Sequence, residues 1–189
     1  MPNWCSNSLC LQHEDPKMIA RAAKAFNEGN LLNEFIPIPE ELQITSGRVG
    51  DPVEQELLEA QQAANIKKHG YKDWYDWNVA NWGTKWDVSL DNVERLDANT
   101  VKAGFDSAWA PPIEAYMKLE SLGFEVEAMY YEPGMAFCGS YSTEFGDDTI
   151  EIGGMSADRV RDFIGPELDD FFGISEEMRQ WEEEETEDE

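Results

Sequence analysis

Polar and apolar positions change period several times along the chain, and each change marks an element. Asn3 to Gln12 (NWCSNSLCLQ) mixes the two kinds without a proline and predicts a first strand. Asp15-Pro16 is an N-cap acid followed by proline at the first helical position, where the missing N–H costs nothing. Met18, Ile19, Ala22, Ala23 and Phe26 then recur at helical spacing, with Gly29 as a stop. Asn30 to Val49 has no period. Its run Phe35-Ile36-Pro37-Ile38-Pro39 cannot be a central strand, because proline donates nothing to a ladder, so it reads as an extended crossing over the core. Asp51-Pro52 opens a second helix by the same device, with Val53, Leu57, Leu58 and Ala64 as its apolar side and an end near Gly70.

The stretch from Trp74 to Asp87, WYDWNVANWGTKWD, contains four of the seven tryptophans. Tyr71 to Trp82 has helical spacing, and Gly83 ends it. From Lys85 the period becomes two, which places Trp86, Val88 and Leu90 on one side of a strand and Lys85, Asp87 and Ser89 on the other. The four tryptophans therefore do not form one stripe. Trp74, Trp77 and Trp82 belong to a helix whose offsets spread them over a wide arc, and Trp74 at its start is the one expected to stay partly exposed. Trp86 is expected to be buried beside Val88 and Leu90.

Val101 to Ser107 predicts a strand with Val101, Ala103 and Phe105 inward. Pro111-Pro112 starts a helix carrying Ile113, Tyr116, Met117 and Leu119, closed by Gly123. Phe124 to Tyr131 and Met135 to Ser142 make a hairpin around Glu132-Pro133-Gly134, and a short strand, Thr149 to Ile152, follows a turn at Gly146-Asp147-Asp148. Ser156 caps a helix through Ile164. With the helical segment 30–83 set aside as an insertion, the order is strand, helix, strand, strand, helix, strand, then an extra hairpin. That is the split βαβ pattern of a ferredoxin-like α+β domain: an antiparallel sheet with helices on one face. A single domain is expected over 1–165, with an acidic tail over 166–189, partly helical or disordered.

Charge changes this picture most. Forty acidic residues against 14 basic ones give a formal net charge of -26. The segment from Glu167 to Glu189 holds twelve acids and one base, so the tail carries -11 and the body -15. Nucleic acid and anionic membranes would be repelled at long range, and a basic partner attracted. Three cysteines are too few and odd in number for a disulfide framework, and no apolar run has the length of a signal peptide or membrane span, so a cytoplasmic protein with reduced thiols is expected.

Three stretches also carry a likeness. PNWCSN at the start, DWNVANWGTKWD, and SAWAPPIEAYMKL followed by YYEPGMAFCG together resemble the YubB-like family of plasmid- and phage-borne proteins. The resemblance spans most of the chain up to about Gly154 and does not include the acidic tail. It implies a mobile-element protein with a ferredoxin-like C-terminal domain and supplies no catalytic residues.

Candidate chemistry is sparse. Cys5, Cys10 and His13 have spacings of five and three, but on a strand Cys10 points away from the other two, and structural zinc sites favour paired Cys-x-x-Cys ligands. Gly146-Asp147-Asp148 could supply a two-metal carboxylate site with Asp87 or Asp106, yet the same triplet is ordinary turn chemistry in a chain this acidic. No cofactor is called for. Two surfaces remain. One is an aromatic pocket of Trp74, Trp77 and Trp82 with Asn81 and Lys85 as polar groups, set against the plainer reading of a core plug. The other is the acidic face of Glu176, Glu177, Glu182, Glu183, Glu184 and Glu185, set against the plainer reading of a solvated tail. The expected function is a non-enzymatic interaction protein that binds a basic host protein, by DNA mimicry or in counter-defence. The alternative is a binder of a nucleotide-like small ligand, and a metal-dependent enzyme comes third.

Overall fold

The structure, a computed structural model, describes residues 3–187, without the side chains of 89–91 and 185–187. It is an α+β protein built on a six-stranded antiparallel sheet. The strands are β1 (Trp4–Gln12), β2 (Ser89–Arg95), β3 (Thr100–Ala108), β4 (Glu125–Glu132), β5 (Phe137–Ser142) and β6 (Gly146–Glu151), in the spatial order β2-β3-β1-β4-β5-β6. The first four form the split βαβ arrangement expected from the sequence, and β5 and β6 extend it as a meander.

On one face, the alternation of β1, β3 and β4 points Leu9, Leu11, Val101, Ala103, Phe105, Val126 and Ala128 into the main core. Four helices cover that face: α1 (Pro16–Asn27), α2 (Leu31–Phe35), α4 (Trp74–Trp82) and α5 (Ile113–Ser121). α1 follows the Asp-Pro signal, with the Lys17 N–H donating to Asp15 Oδ1 at 2.9 Å. α3 (Pro52–His69) opens the same way, its Val53 and Glu54 N–H groups donating to Asp51. Its apolar side differs from the expectation. Val53 and Leu57 are exposed, and Leu58 and Asn65 are the buried positions. α3 is fastened by polar contacts: Asn65 Nδ2 donates to the Glu41 and Lys72 carbonyls at 2.9 and 3.1 Å, and Lys68 pairs with Glu41.

The opposite face of β4, β5 and β6 has its own layer. Met129, Tyr131, Cys138 and Ile150 meet α6 (Ala157–Ile164), α7 (Pro166–Phe172) and α8 (Ile174–Glu187) through Val160, Leu168, Ile174 and Phe172. Helices therefore lie on one face over the ferredoxin-like part, as expected, and the C-terminal helices add a second layer behind the hairpin. Asp169 ties this layer together: its carboxylate accepts from Ser175 N and Oγ, both at 2.7 Å, and from Arg161 at 2.8 Å. Residues 166–187 thus include helices packed through Leu168 and Ile174. Positions 188 and 189 of the expected tail lie outside the described residues.

Three further readings need correction. The segment 30–36 contains α2, where no element is expected. Its Leu32 and Asn33 N–H groups donate to the Asp87 carboxylate, both at 2.9 Å, so its cap comes from far along the chain. Asp87 and Trp86 in turn lie before β2, which begins at Ser89. The expected strand from Lys85 fails because Asp87 turns aside to cap α2. Gly146-Asp147-Asp148, read as a turn, starts β6, with Asp147 opposite Tyr141 in the ladder.

Candidate functional site

Four tryptophans in one stretch resolve into two structural roles. α4 is capped by Asp73, which accepts from Tyr75 and Asp76 N–H, and ends at Gly83 in the left-handed region at φ +82°. A side chain at Gly83 would also meet the α5 backbone, with a Cβ only 3.2 Å from Ile113 N, so glycine is required twice over. Trp77 and Trp82 are buried in the main core, ring centroids 5.8 Å apart and edge to face. Trp82 Nε1 donates to the Ile36 carbonyl at 3.0 Å, which satisfies its one polar atom. Trp74 remains half-buried, as its place at the helix start implies. Trp86 is 39% exposed, where burial beside Val88 is expected, because it precedes the strand. The position of Leu90's side chain lies outside the described residues.

After Gly83 the chain is pinned to the end of β3. Thr84 Oγ1 donates to the Ala108 carbonyl and accepts from the Ala108 N–H, both at 3.0 Å. This clamp sets Lys85 and Trp86 beside Trp109. Lys85 Nζ stands 4.4 Å from the Trp86 ring centroid, 5.3 Å from that of Trp109 and 5.7 Å from that of Tyr75. One ammonium group is thus surrounded by three rings, the geometry of a cation–π cage. Trp4 lies 6.0 Å from Trp86, and Tyr75 joins Trp74 at 5.9 Å, so five aromatic side chains run together across the surface. Trp4 and Trp109 are 45% and 39% exposed.

Trp109 carries a second distinction. Its φ of +70° puts a bulky side chain in a region that rarely holds one, a strain of order 1–3 kcal/mol. Its N–H donates to the Asn3 carbonyl at 2.9 Å, and buried Asn7 donates to Ser107 Oγ and the Cys5 carbonyl at 2.8 and 2.7 Å, which fixes the strand ends beneath it.

The sequence-predicted pocket residues therefore divide. Trp74 and Trp82 line a surface groove of about 600 Å³ together with Trp86, Asn78 and Asp87. Trp77 is core. Asn81 faces α5, accepting from Lys118 Nζ at 2.6 Å. Lys85 lies in the aromatic cage. Trp4, Tyr75 and Trp109 are additions that sequence reading missed. Trp109 follows a strand and precedes Ala110-Pro111-Pro112, and a tryptophan at such a strand-to-proline junction was the available signal.

The acidic residues of α8 also divide. Glu176 pairs with Arg179 at 3.2 Å, while Glu184 is exposed. Glu182 Oε1 accepts the Ala157 N–H at 2.9 Å and so serves as the cap of α6, whose own Ser156 side chain makes no capping bond. Glu177 hydrogen-bonds Tyr131. Burial first, and that carboxylate after it, push the Tyr131 hydroxyl well up. Glu183 is exposed with a partner of its own, and Glu185's side chain lies outside the described residues.

The catalytic alternatives do not assemble. Asp147 accepts from Tyr130 Oη at 2.6 Å and from Thr149 Oγ1 at 3.0 Å, Asp87 caps α2, and Asp106 accepts from Ser6 Oγ at 3.0 Å. His13 Nδ1 accepts the Asp15 N–H at 2.9 Å, and its Nε2 faces the Leu122 carbonyl at 3.2 Å. Cys5 sits at the other end of β1 from His13. The three thiols are free, and burial pushes Cys138 up to about 11 and Cys5 further still. Among the described residues no group of three His, Cys, Asp or Glu could hold a metal, and no helix is long and apolar enough to cross a membrane.

No family model matches the chain, and no curated protein matches it. The crystal structure of the protein api92 from Yersinia pseudotuberculosis (family DUF1281) is weakly similar. It shares 12% identity at a TM-score of 0.41, over 82% of this chain and 99% of that one. At that level the likeness carries no argument.

Proposed function

We propose that this chain is a non-enzymatic interaction protein that binds a basic partner through the aromatic cluster of Trp4, Tyr75, Trp86 and Trp109 around Lys85. The observation that carries this reading is three exposed tryptophans in one continuous surface on a chain of net charge -26. Exposed tryptophans held rigid by their surroundings are the common anchors of protein interfaces. An acidic field speeds the approach of a basic protein and suppresses others. The strained Trp109 backbone fits a surface kept for contact, since relaxing it would move the ring out of the cluster.

The resemblance to YubB-like proteins supplies the setting: a phage or plasmid whose product meets host proteins. Among these, nucleic-acid-binding proteins have the basic faces that an acidic body fits, and occupying such a face by DNA mimicry would serve counter-defence. A pull-down from host lysate tests the reading, with the wild type beside Trp86→Ala and Trp109→Ala. Basic proteins should be retained at low salt, released at moderate salt, and lost with either variant at unchanged melting temperature. Retention indifferent to both salt and the tryptophans would refute it.

A further inference from the structure

The groove beside the cluster has its own chemistry. Its lining includes Trp74, Asn78, Trp82 and Trp86. Asn78 is 2% exposed, and its Nδ2 donates to the Lys85 carbonyl at 2.9 Å. Its Oδ1 is buried and accepts from nothing. A buried acceptor without a donor costs about 1–3 kcal/mol, so native chains rarely leave one without a reason. Asn78 Nδ2 already has a partner in the Lys85 carbonyl, and its Oδ1 is the amide atom left without one, which an occupant bringing an N–H would satisfy. Three indoles in the lining, Trp74, Trp82 and Trp86, favour a flat aromatic occupant. Asp87 lines the same groove with both carboxylate oxygens already accepting backbone N–H groups, and burial pushes its pKa up. An occupant bearing a phosphate would meet that carboxylate and the field of the whole body. The volume, about 600 Å³, lies within the range of small-molecule sites.

We infer that the groove binds an uncharged, amino-bearing purine, as base or nucleoside, stacked against Trp74 and Trp86 with its exocyclic amino group donating to Asn78 Oδ1. Selection is for the amino group and against the phosphate. The groove shares Trp86 with the partner-binding surface, but its tests turn on Trp74 and Asn78, which that surface does not use, so its failure leaves that reading standing.

The test is a tryptophan-fluorescence titration of the full chain with adenosine, purine riboside, which lacks only the amino group, and adenosine monophosphate. Adenosine should quench saturably at one site. Purine riboside should bind about tenfold more weakly or worse, the loss of one donor to a buried acceptor. The monophosphate should also bind more weakly, by a margin that narrows as salt rises. Trp74→Ala should weaken adenosine about tenfold, in the range of a lost stacking partner, with little change in melting temperature. Asn78→Ala should erase the difference between adenosine and purine riboside. Should that variant fail to fold, the wild-type comparison of the two nucleosides and the Trp74→Ala titration still decide. Absence of saturable quenching by adenosine at millimolar concentration, equal affinity for the two nucleosides, or tighter binding of the monophosphate would each overturn the inference.

Discussion

Trp82 and Trp86 are four positions apart and do opposite things. Trp82 fills the core with its indole N–H bonded to Ile36, so Trp82→Ala should cost about 3–5 kcal/mol in a denaturation curve, as for other truncated core aromatics. Trp86→Ala should stay within about 0.5 kcal/mol, because a surface ring supports little of the fold. Equal losses at the two positions would show that the exposed cluster is part of the core. Residue type and spacing make half of this legible. The helical offsets of Trp74, Trp77 and Trp82 identify a helix with one ring half out. The period of two from Lys85 misplaces Trp86, because it cannot reveal that Asp87 is needed by α2 or that Thr84 clamps the chain to Ala108. Trp4 and Trp109 belong to the same surface and are brought to it by the β1–β3 pairing, which no local pattern displays.

At the level of elements, the starts of α1 and α3 are legible because aspartate followed by proline is a local signal. α2 is not, since its carboxylate lies 55 residues away. α6 is legible as an element but its cap is not: its first N–H is taken by Glu182 on α8, and the Ser156 side chain makes no capping bond. The sequence alone suggests that removing 182–189 leaves the fold untouched. The contact predicts otherwise. Glu182→Ala should destabilise the α6–α8 layer by about 1 kcal/mol, the usual cost of a lost cap, and speed amide exchange at Ala157. Glu184→Ala, on an exposed position of the same helix, should do neither. Hydrogen exchange distinguishes them, and unchanged protection at Ala157 in Glu182→Ala would show the cap to be inessential.

For the molecule as a whole, acid content overstates the free charge. Asp15, Asp51, Asp73, Asp87 and Glu182 cap helices, and Asp169 ties α6, α7 and α8 together. The strand order follows from the period-two runs, while the second layer behind β4 to β6 does not, because α6 to α8 read as an acidic appendage until Leu168 and Ile174 are seen against Tyr131 and Cys138. What distinguishes the surface is a tryptophan cluster on a strongly acidic body. The most direct test is the affinity of the basic partner recovered from lysate, measured by titration across ionic strength for the wild type and for Trp86→Ala with Trp109→Ala combined. Affinity should fall steadily as salt rises, and the double variant should lose about tenfold or more at every salt concentration. An affinity that is flat with salt and equal in the two proteins would contradict the assignment of this surface as the binding site.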